Sequence, residues 1–329
     1  MLYPLQLEPI FKQRIWGGHT FEELFGCRIS QNTPIGELWA VADYPSDTSL
    51  VINGFLAGKT LDQVLLQFPE ELIGYCNSRN FPWLIKFLDA TDKLSVQVHP
   101  DEQLAARFRG ERSKAEMWYV LKAGPEAEII YGLKSGVDRA AFLQALEQEQ
   151  VVHCLNRVKV KAGDVFYIPP GLVHALGRDI LVAEVQQNSD TTYRIYDYNR
   201  TDDSGKHREL HIAKALEAID FSLHPIKTNF CIPLESKYFR VDILDITPHA
   251  LTSLPDKELQ ALLILRGEGI ILHNATQLQI RAGNAVVIPA ELSGVVLQGT
   301  LQVLRCRMGA KVNSRRNNRR ESRASSSAI

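Results

Sequence analysis

Val160-Lys161-Ala162-Gly163-Asp164-Val165-Phe166-Tyr167-Ile168-Pro169 returns 120 residues later as Ile280-Arg281-Ala282-Gly283-Asn284-Ala285-Val286-Val287-Ile288-Pro289. Both copies keep an apolar start, a basic residue, Ala-Gly and a closing Ile-Pro. In each, a basic-Ala-Gly turn leads into an apolar strand, and proline ends that strand because it has no N–H for the ladder. Two copies of one β unit imply two related barrels, the first within residues 1–225 and the second within 226–310.

After the prolines the copies part. Pro170-Gly171-Leu172-Val173-His174 follows the first, whereas Ala290-Glu291-Leu292-Ser293-Gly294 follows the second. The second copy has lost the turn glycine and the histidine, so a bound metal would belong to the first barrel. Around the repeat the chain reads as short β-type runs between Gly, Pro and Asp: Phe81–Leu88, Leu94–Val98, Met117–Leu121, Glu128–Tyr131, Arg157–Val160, Val165–Ile168, Ile180–Gln186 and Tyr193–Tyr198. Such spacing predicts a mainly β, mostly antiparallel sandwich or barrel. Helical patterning is limited to a few places, the best being Leu61–Ile73, Val137–Glu149 and Leu210–Ile219, with Asp138 placed to cap the second.

Composition sets outer limits. At 329 residues with 45% hydrophobic and 23% charged side chains, the chain can bury a sizeable core, which excludes a disulfide miniprotein or a linker. The net charge of −1 is a cancellation: residues 311–329 hold six basic groups and one acid, leaving −6 on the rest. No nucleic-acid partner is expected for such a body, and an anionic ligand must be drawn by a local group of cations. The tail, almost without apolar residues, is expected to be disordered. Five scattered cysteines without a C-x-x-C pair suggest buried thiols in a reducing compartment. No leader or long apolar run is evident, so a cytoplasmic location without membrane contact is expected.

Three short motifs carry the chemistry. Gly163-x5-Pro169-x-Gly171-x2-His174 suits a strand, a tight turn and a histidine aimed into the barrel. In Gln97-Val98-His99-Pro100, Gln97 and His99 share a strand face opposite Val96 and Val98; alone, this is a hydrogen-bonded pair as readily as two ligands. Lys114-Ala115-Glu116 places a cation and a carboxylate on one face, which elsewhere would read as a surface ion pair. Taken together, Gln97, His99, Glu116 and His174 supply three strong ligands and one weak neutral one, as a catalytic zinc site requires. Asp197 and His211 read as structural, and His153 and His207 as non-ligands.

With these motifs, the chain resembles the type I mannose-6-phosphate isomerases, zinc-dependent enzymes of two cupin (jelly-roll-like) barrels. The resemblance is carried by Pro9-Ile10-Phe11-Lys12, Arg14-Ile15-Trp16-Gly17-Gly18, Gly36-Glu37-Leu38-Trp39, Leu94 to Pro100, Lys114-x-Glu116, Pro169 to Ala175, and Glu184-x5-Asp190-Thr191-Thr192-Tyr193-Arg194. It extends to about residue 225, is weak over 226–310 and absent from the tail. The short interval between Glu116 and His174 is similar to the compact bacterial type. The resemblance implies one Zn2+ on Gln97, His99, Glu116 and His174, active-site cations at Lys86, Lys114 and Arg194, and Ser95, Glu184 and Asp190 beside them.

The implied reaction interconverts mannose 6-phosphate and fructose 6-phosphate through a cis-enediolate whose charge zinc would stabilise. Arg194, Lys114, Glu184 and Asp190 are the catalytic candidates, and Lys86, Ser95, Lys114 and Arg194 the substrate-binding ones. The proton-transferring base, the resident metal and the oligomeric state stay open at this level. Two other readings are a metal-dependent cupin oxygenase, since two histidines and a carboxylate also suit iron, and a phosphosugar-binding cupin without catalysis.

Overall fold

In the computed structural model, which describes residues 1–26, 33–45, 47–74, 80–201, 205–223 and 232–309, the strand Trp83–Ala90 is buried from end to end. Its odd residues Trp83, Ile85 and Phe87 enter a core shared with the C-terminal half, while Leu88 and Ala90 face the interior of the first unit. Lys86 has the inward parity, which the two-residue period of a strand enforces. The neighbouring strands repeat the pattern. Met117 and Leu121 point outward from Glu116–Ala123, and Leu181, Ala183 and Val185 outward from Ile180–Gln187, leaving Glu116, Trp118 and Glu184 inward.

These strands belong to a six-stranded antiparallel sheet in the order Val165–Ile168, Glu116–Ala123, Ile180–Gln187, Trp83–Ala90, Ile35–Val41, Ile10–Gly18. A five-stranded sheet in the order Leu155–Lys159, Glu128–Leu133, His174–Ala175, Val96–Val98, Tyr193–Tyr196 supplies the other wall. Val96, Val98, Tyr193 and Ile195 pack on its outer layer with Phe142 and Ala215. Each fully buried side chain of this size contributes roughly 1.5–3 kcal/mol, so two apolar layers fix which residues are left to face the space between the sheets.

Between Gln13 and Gly18 the edge strand loses register with Ile35, and residues 14–17 bulge inward. The bulge depends on close backbone approach: a Cβ on Gly17 would lie 2.4 Å from the Gly36 nitrogen. The turn before His174 has the expected form, with Gly171 at φ 89° and its N–H donated to the His99 carbonyl.

The C-terminal half is one eight-stranded sheet built on the long strands Gln260–His273 and Val296–Met308. Along the first, Ala261, Leu263 and Leu265 pack against the N-terminal half, while Leu262 and Ile264 line the sheet's own core. Both faces are buried, which explains an uninterrupted apolar run where a half-exposed strand would alternate. The fold is mainly β, as the repeat implied. Leu5–Leu7, placed in the first unit by a boundary at 225/226, instead pairs antiparallel with Ala285–Val287 of the C-terminal sheet. That boundary and the basic tail lie outside the described residues.

The three helical patterns are met with one difference, and two short helices, Thr20–Phe25 and Glu102–Ala105, form where none was singled out. Asp138 caps Arg139–Glu147 by accepting from the Ala141 N–H at 2.8 Å, and Ile212–Ala218 forms within its run. Leu61–Ile73 is two helices, Leu61–Gln67 and Pro69–Ile73, because Pro69 cannot continue a helix and instead starts one at its first position. Among the described residues no helix is long and apolar enough to cross a membrane. Cys154 and Cys306 are buried free thiols; Cys27, Cys76 and Cys231 lie outside the described residues.

Candidate metal centre and active site

His99, Glu116 and His174 converge, fully buried, with their ligand atoms all within 4.8 Å of one another. The Val96–Val98 strand delivers His99 just past its end, His174 stands opposite Gln97 on the adjacent strand, and Glu116 comes from the facing sheet. Nδ1 of His99 lies 2.9 Å from the Thr191 carbonyl and Nδ1 of His174 lies 2.8 Å from the Leu172 carbonyl. A carbonyl only accepts, so each ring holds its proton on Nδ1 and turns the Nε2 lone pair inward.

Three acceptors therefore face one another. His99 Nε2 is 3.1 Å from Glu116 Oε1, and His174 Nε2 is 3.4 Å from Glu116 Oε2. Neither contact has hydrogen-bond geometry, and His99 Nε2 and Glu116 Oε2 have no partner although both are buried. Burial, then Lys114, holds His99 neutral, down to about 3. For Glu116, burial opposes ionisation, but the Lys114 ammonium outweighs it and holds the carboxyl well below its ordinary range. Two imidazole Nε2 atoms and a carboxylate aimed at one point fit a divalent metal, because a cation there satisfies acceptors that the protein leaves open. The Gln97 amide lies beside them, 3.4 Å from His174 Nε2.

A cavity of about 450 Å³ opens over this cluster. Its wall follows from strand register: Glu184 stands opposite both Lys86 and Trp118, Trp39 opposite Lys86, and Arg194 opposite Gln97. Lys114 Nζ is 2.8 Å from Glu116 Oε1, and both are buried rather than a surface pair. Lys86 Nζ lies 3.5 Å from an oxygen of Glu37 and 3.5 Å from an oxygen of Glu184. Burial works against its ammonium, but those two carboxylates outweigh burial and raise its pKa. Glu184 accepts from the Trp118 indole at 2.6 Å; burial and then Glu116 push its pKa up. Arg194 donates to the Ser95 hydroxyl at 3.3 Å. Asp190 lines the cavity at its exposed margin.

Of the ten residues singled out in the sequence, eight line one cavity, and His99 and His174 lie with Glu116 beside it. Among the other residues that line it, Arg14, Glu37, Trp118 and Arg208 were not singled out for the site. Glu37 is buried, accepts from Trp39 and Arg14 at 2.6 Å each and faces Lys86; burial opposes its charge, yet Lys86 and Arg14 bring it down to about 2. Its signal was present in Gly36-Glu37-Leu38-Trp39, where residues i and i+2 share a face. Arg208 had no such signal, since contacts of a returning loop, such as the pairing of Thr201 with His207, bring its segment to the site.

Comparison with known proteins agrees with this geometry. Residues 4–129 match the phosphomannose isomerase type I catalytic domain, and residues 227–308 match the mannose-6-phosphate isomerase cupin domain. The chain is 40% identical over 317 residues to the probable mannose-6-phosphate isomerase GmuF of Bacillus subtilis, covering 92% of this chain and 99% of that one. It is 36% identical over 324 residues to the mannose-6-phosphate isomerase of Streptococcus mutans, covering 92% and 98%. The crystal structure of the Bacillus subtilis mannose 6-phosphate isomerase superposes with a TM-score of 0.84 at 33% identity, covering 92% and 99%. The C-terminal half, weak by motif, is thus matched as clearly as the first, and the chain belongs to the type I phosphomannose isomerase family.

Proposed function

We propose that the protein interconverts mannose 6-phosphate and fructose 6-phosphate in the cytoplasm, using one Zn2+ per chain held by His99, Glu116 and His174 with Gln97 as the weak fourth ligand. The observation that carries this reading is the set of three buried acceptors converging beneath a cavity walled by Lys86, Lys114 and Arg194. When bound, zinc supplies Lewis-acid stabilisation of the negative charge that develops on the substrate's O1 and O2.

The chain's own residues supply the rest. Aldose–ketose isomerisation moves a proton between C1 and C2, and needs a group that can hold and return it. Glu184 suits that role: it is buried, its pKa is pushed up, and Trp118 and Lys86 fix both of its oxygens. Lys114, beside Glu116, is placed to steady the substrate oxygens, and Asp190 to orient a hydroxyl at the cavity margin. Arg194 and Ser95 offer donors for the anionic end. The acceptors left open by the protein favour a resident metal, and the surrounding cations favour an anionic sugar over the apolar substrates of many oxygenases.

A coupled assay of sugar-phosphate isomerisation, with and without chelator, tests this. Turnover of both sugars that chelator abolishes and zinc restores is the expected result. Phosphosugar binding without turnover would establish the binding-protein reading, and oxygen consumption with bound iron the oxygenase one.

A further inference from the structure

The carbonyl that sets the His99 tautomer belongs to Thr191, and whatever holds that carbonyl decides where the Nε2 lone pair of His99 points. Thr191 lies in a connection, residues 188–192, that leaves the strand Ile180–Gln187 and leads into Tyr193–Tyr196. Asn188 and Ser189 are buried in it, while Asp190, between Ser189 and Thr191, stands at the cavity margin. Connections ordinarily run over the surface, because buried backbone groups need partners. Here side chains supply those partners one by one.

Ser189 occupies the centre of the arrangement. Its hydroxyl donates to the Arg112 carbonyl at 2.9 Å and accepts from the Thr191 N–H at 3.2 Å. The Arg112 N–H donates in turn to the Thr191 hydroxyl at 3.1 Å, which closes a ring of three residues. Gln186, fully buried and opposite Glu116 in the sheet, donates through its amide to the Ser189 carbonyl and, at 3.1 Å, to the Gln187 carbonyl. The Gln187 side chain accepts from the Ala115 N–H at 2.9 Å and the Ser113 hydroxyl at 3.2 Å, on either side of Lys114. One connection thus grips the segment that carries Lys114 and Glu116, and through Thr191 it grips His99.

Stability alone does not account for so polar a filling. Replacing a buried hydrogen-bonded pair by apolar groups of the same shape is often neutral or stabilising, and a buried group without a partner is destabilising. Two acceptors in this connection, Gln186 Oε1 and Asn188 Oδ1, are buried without a partner among the described residues. What hydrogen bonds provide and apolar contacts do not is direction. A metal ligand needs direction, since the groups that orient it set how well its lone pair meets the ion.

We propose that Ser189 is a positioning residue for the metal centre: together with Gln186 it locks the 188–191 segment so that the Thr191 carbonyl holds His99 with Nε2 toward the metal. This rests on the zinc reading above. Ser189 acts through Thr191 and His99 and touches neither substrate nor ion.

The test measures zinc affinity of the full chain by competition with a chromophoric chelator, beside the melting temperature of the zinc-free protein. Ser189→Ala removes both hydroxyl bonds and should weaken zinc binding by about 10- to 100-fold, the range typical of groups that orient a ligand. Gln186→Met, which loses the amide at similar volume, should weaken it in the same direction by a smaller factor. Ser189→Thr restores a hydroxyl and should recover part of the loss. Leu181→Ala is the control: Leu181 lies on the strand before the connection but points into the outer core, so its loss should lower the melting temperature and leave zinc affinity within about two-fold. Folded Ser189→Ala and Gln186→Met that both bind zinc within about two-fold of wild type would overturn the proposal. So would a loss of zinc affinity in Leu181→Ala as large as theirs at an equal drop in melting temperature, because the connection would then be scaffold only. If Ser189→Ala does not fold, Gln186→Met decides by the same criterion. A wild type that binds no zinc brings down the metal reading and the proposal together, whereas zinc-binding wild type beside unaffected variants refutes the proposal alone.

Discussion

His174 brings only one lone pair to the centre, yet its removal leaves Glu116 and His99 facing each other without the third acceptor. His174→Ala is expected to lose most of the bound metal and nearly all isomerase activity, measured together by metal analysis and coupled assay. Gln97→Ala, which removes only a weak neutral group, should cost much less of either. Glu37 permits a pH test away from the metal. Its carboxyl sits at about 2 in the folded protein against an ordinary 4.5, so the stability it contributes is complete above 4.5 and drains as pH falls toward 2. Lys86 has the opposite sense: its raised pKa contributes stability that is complete below 10.5 and is lost as pH rises through the folded value. Comparing Glu37→Gln with wild type by thermal melting should show a constant deficit, on the order of 3 kcal/mol, between about pH 5 and about pH 9, shrinking as pH drops below 4.5.

At the scale of single elements, the inward bulge at residues 14–17 depends on two glycines that face each other. A Cβ on Gly36 would sit 2.6 Å from Arg14 Cβ, and one on Gly17 would strike the Gly36 backbone. Gly17→Ala should therefore push the edge strand away, loosen Arg14 from Glu37 and destabilise by about 1–3 kcal/mol, visible as a lower melting temperature. Strands were the elements most legible in the sequence, because two-residue alternation and Gly or Pro punctuation are local signals. For the same reason Gln97 and His99, or Lys114 and Glu116, could be placed on one face from spacing alone. The break at Pro69 was equally local and was outweighed by a helical apolar pattern running through it. Arg14 and Arg208 were not legible as site residues, since a bulge and a returning loop place them and neither has a periodic signature.

For the whole molecule, the largest apolar cluster runs without interruption from Leu2 and Phe21 through Trp83 and Met117 to Leu263, Val287 and Cys306. The two halves therefore share a core, and calorimetry is expected to show one cooperative unfolding transition rather than two. Deleting residues 1–8 should lower that transition and promote aggregation, because it bares the hydrogen-bonding edge of Ala285–Val287 while leaving the metal residues in place. Light scattering during heating would measure this. The repeat is a local signal, but no local pattern in a three-residue strand could reveal a partner so far along the chain.

That same pairing gives the protein a schedule. Leu5–Leu7 leaves the ribosome about 280 residues ahead of the strand it joins, which at roughly 5–20 residues per second is a wait of about 15 to 60 seconds. Throughout that interval Leu5 and Leu7, both fully buried in the finished protein, lack the C-terminal sheet and have at most the bridge to Val51 on their other edge. A segment synthesised early is thus stitched late into its C-terminal sheet, so a slow stretch of translation between the two acts on the closing step of folding rather than on its beginning.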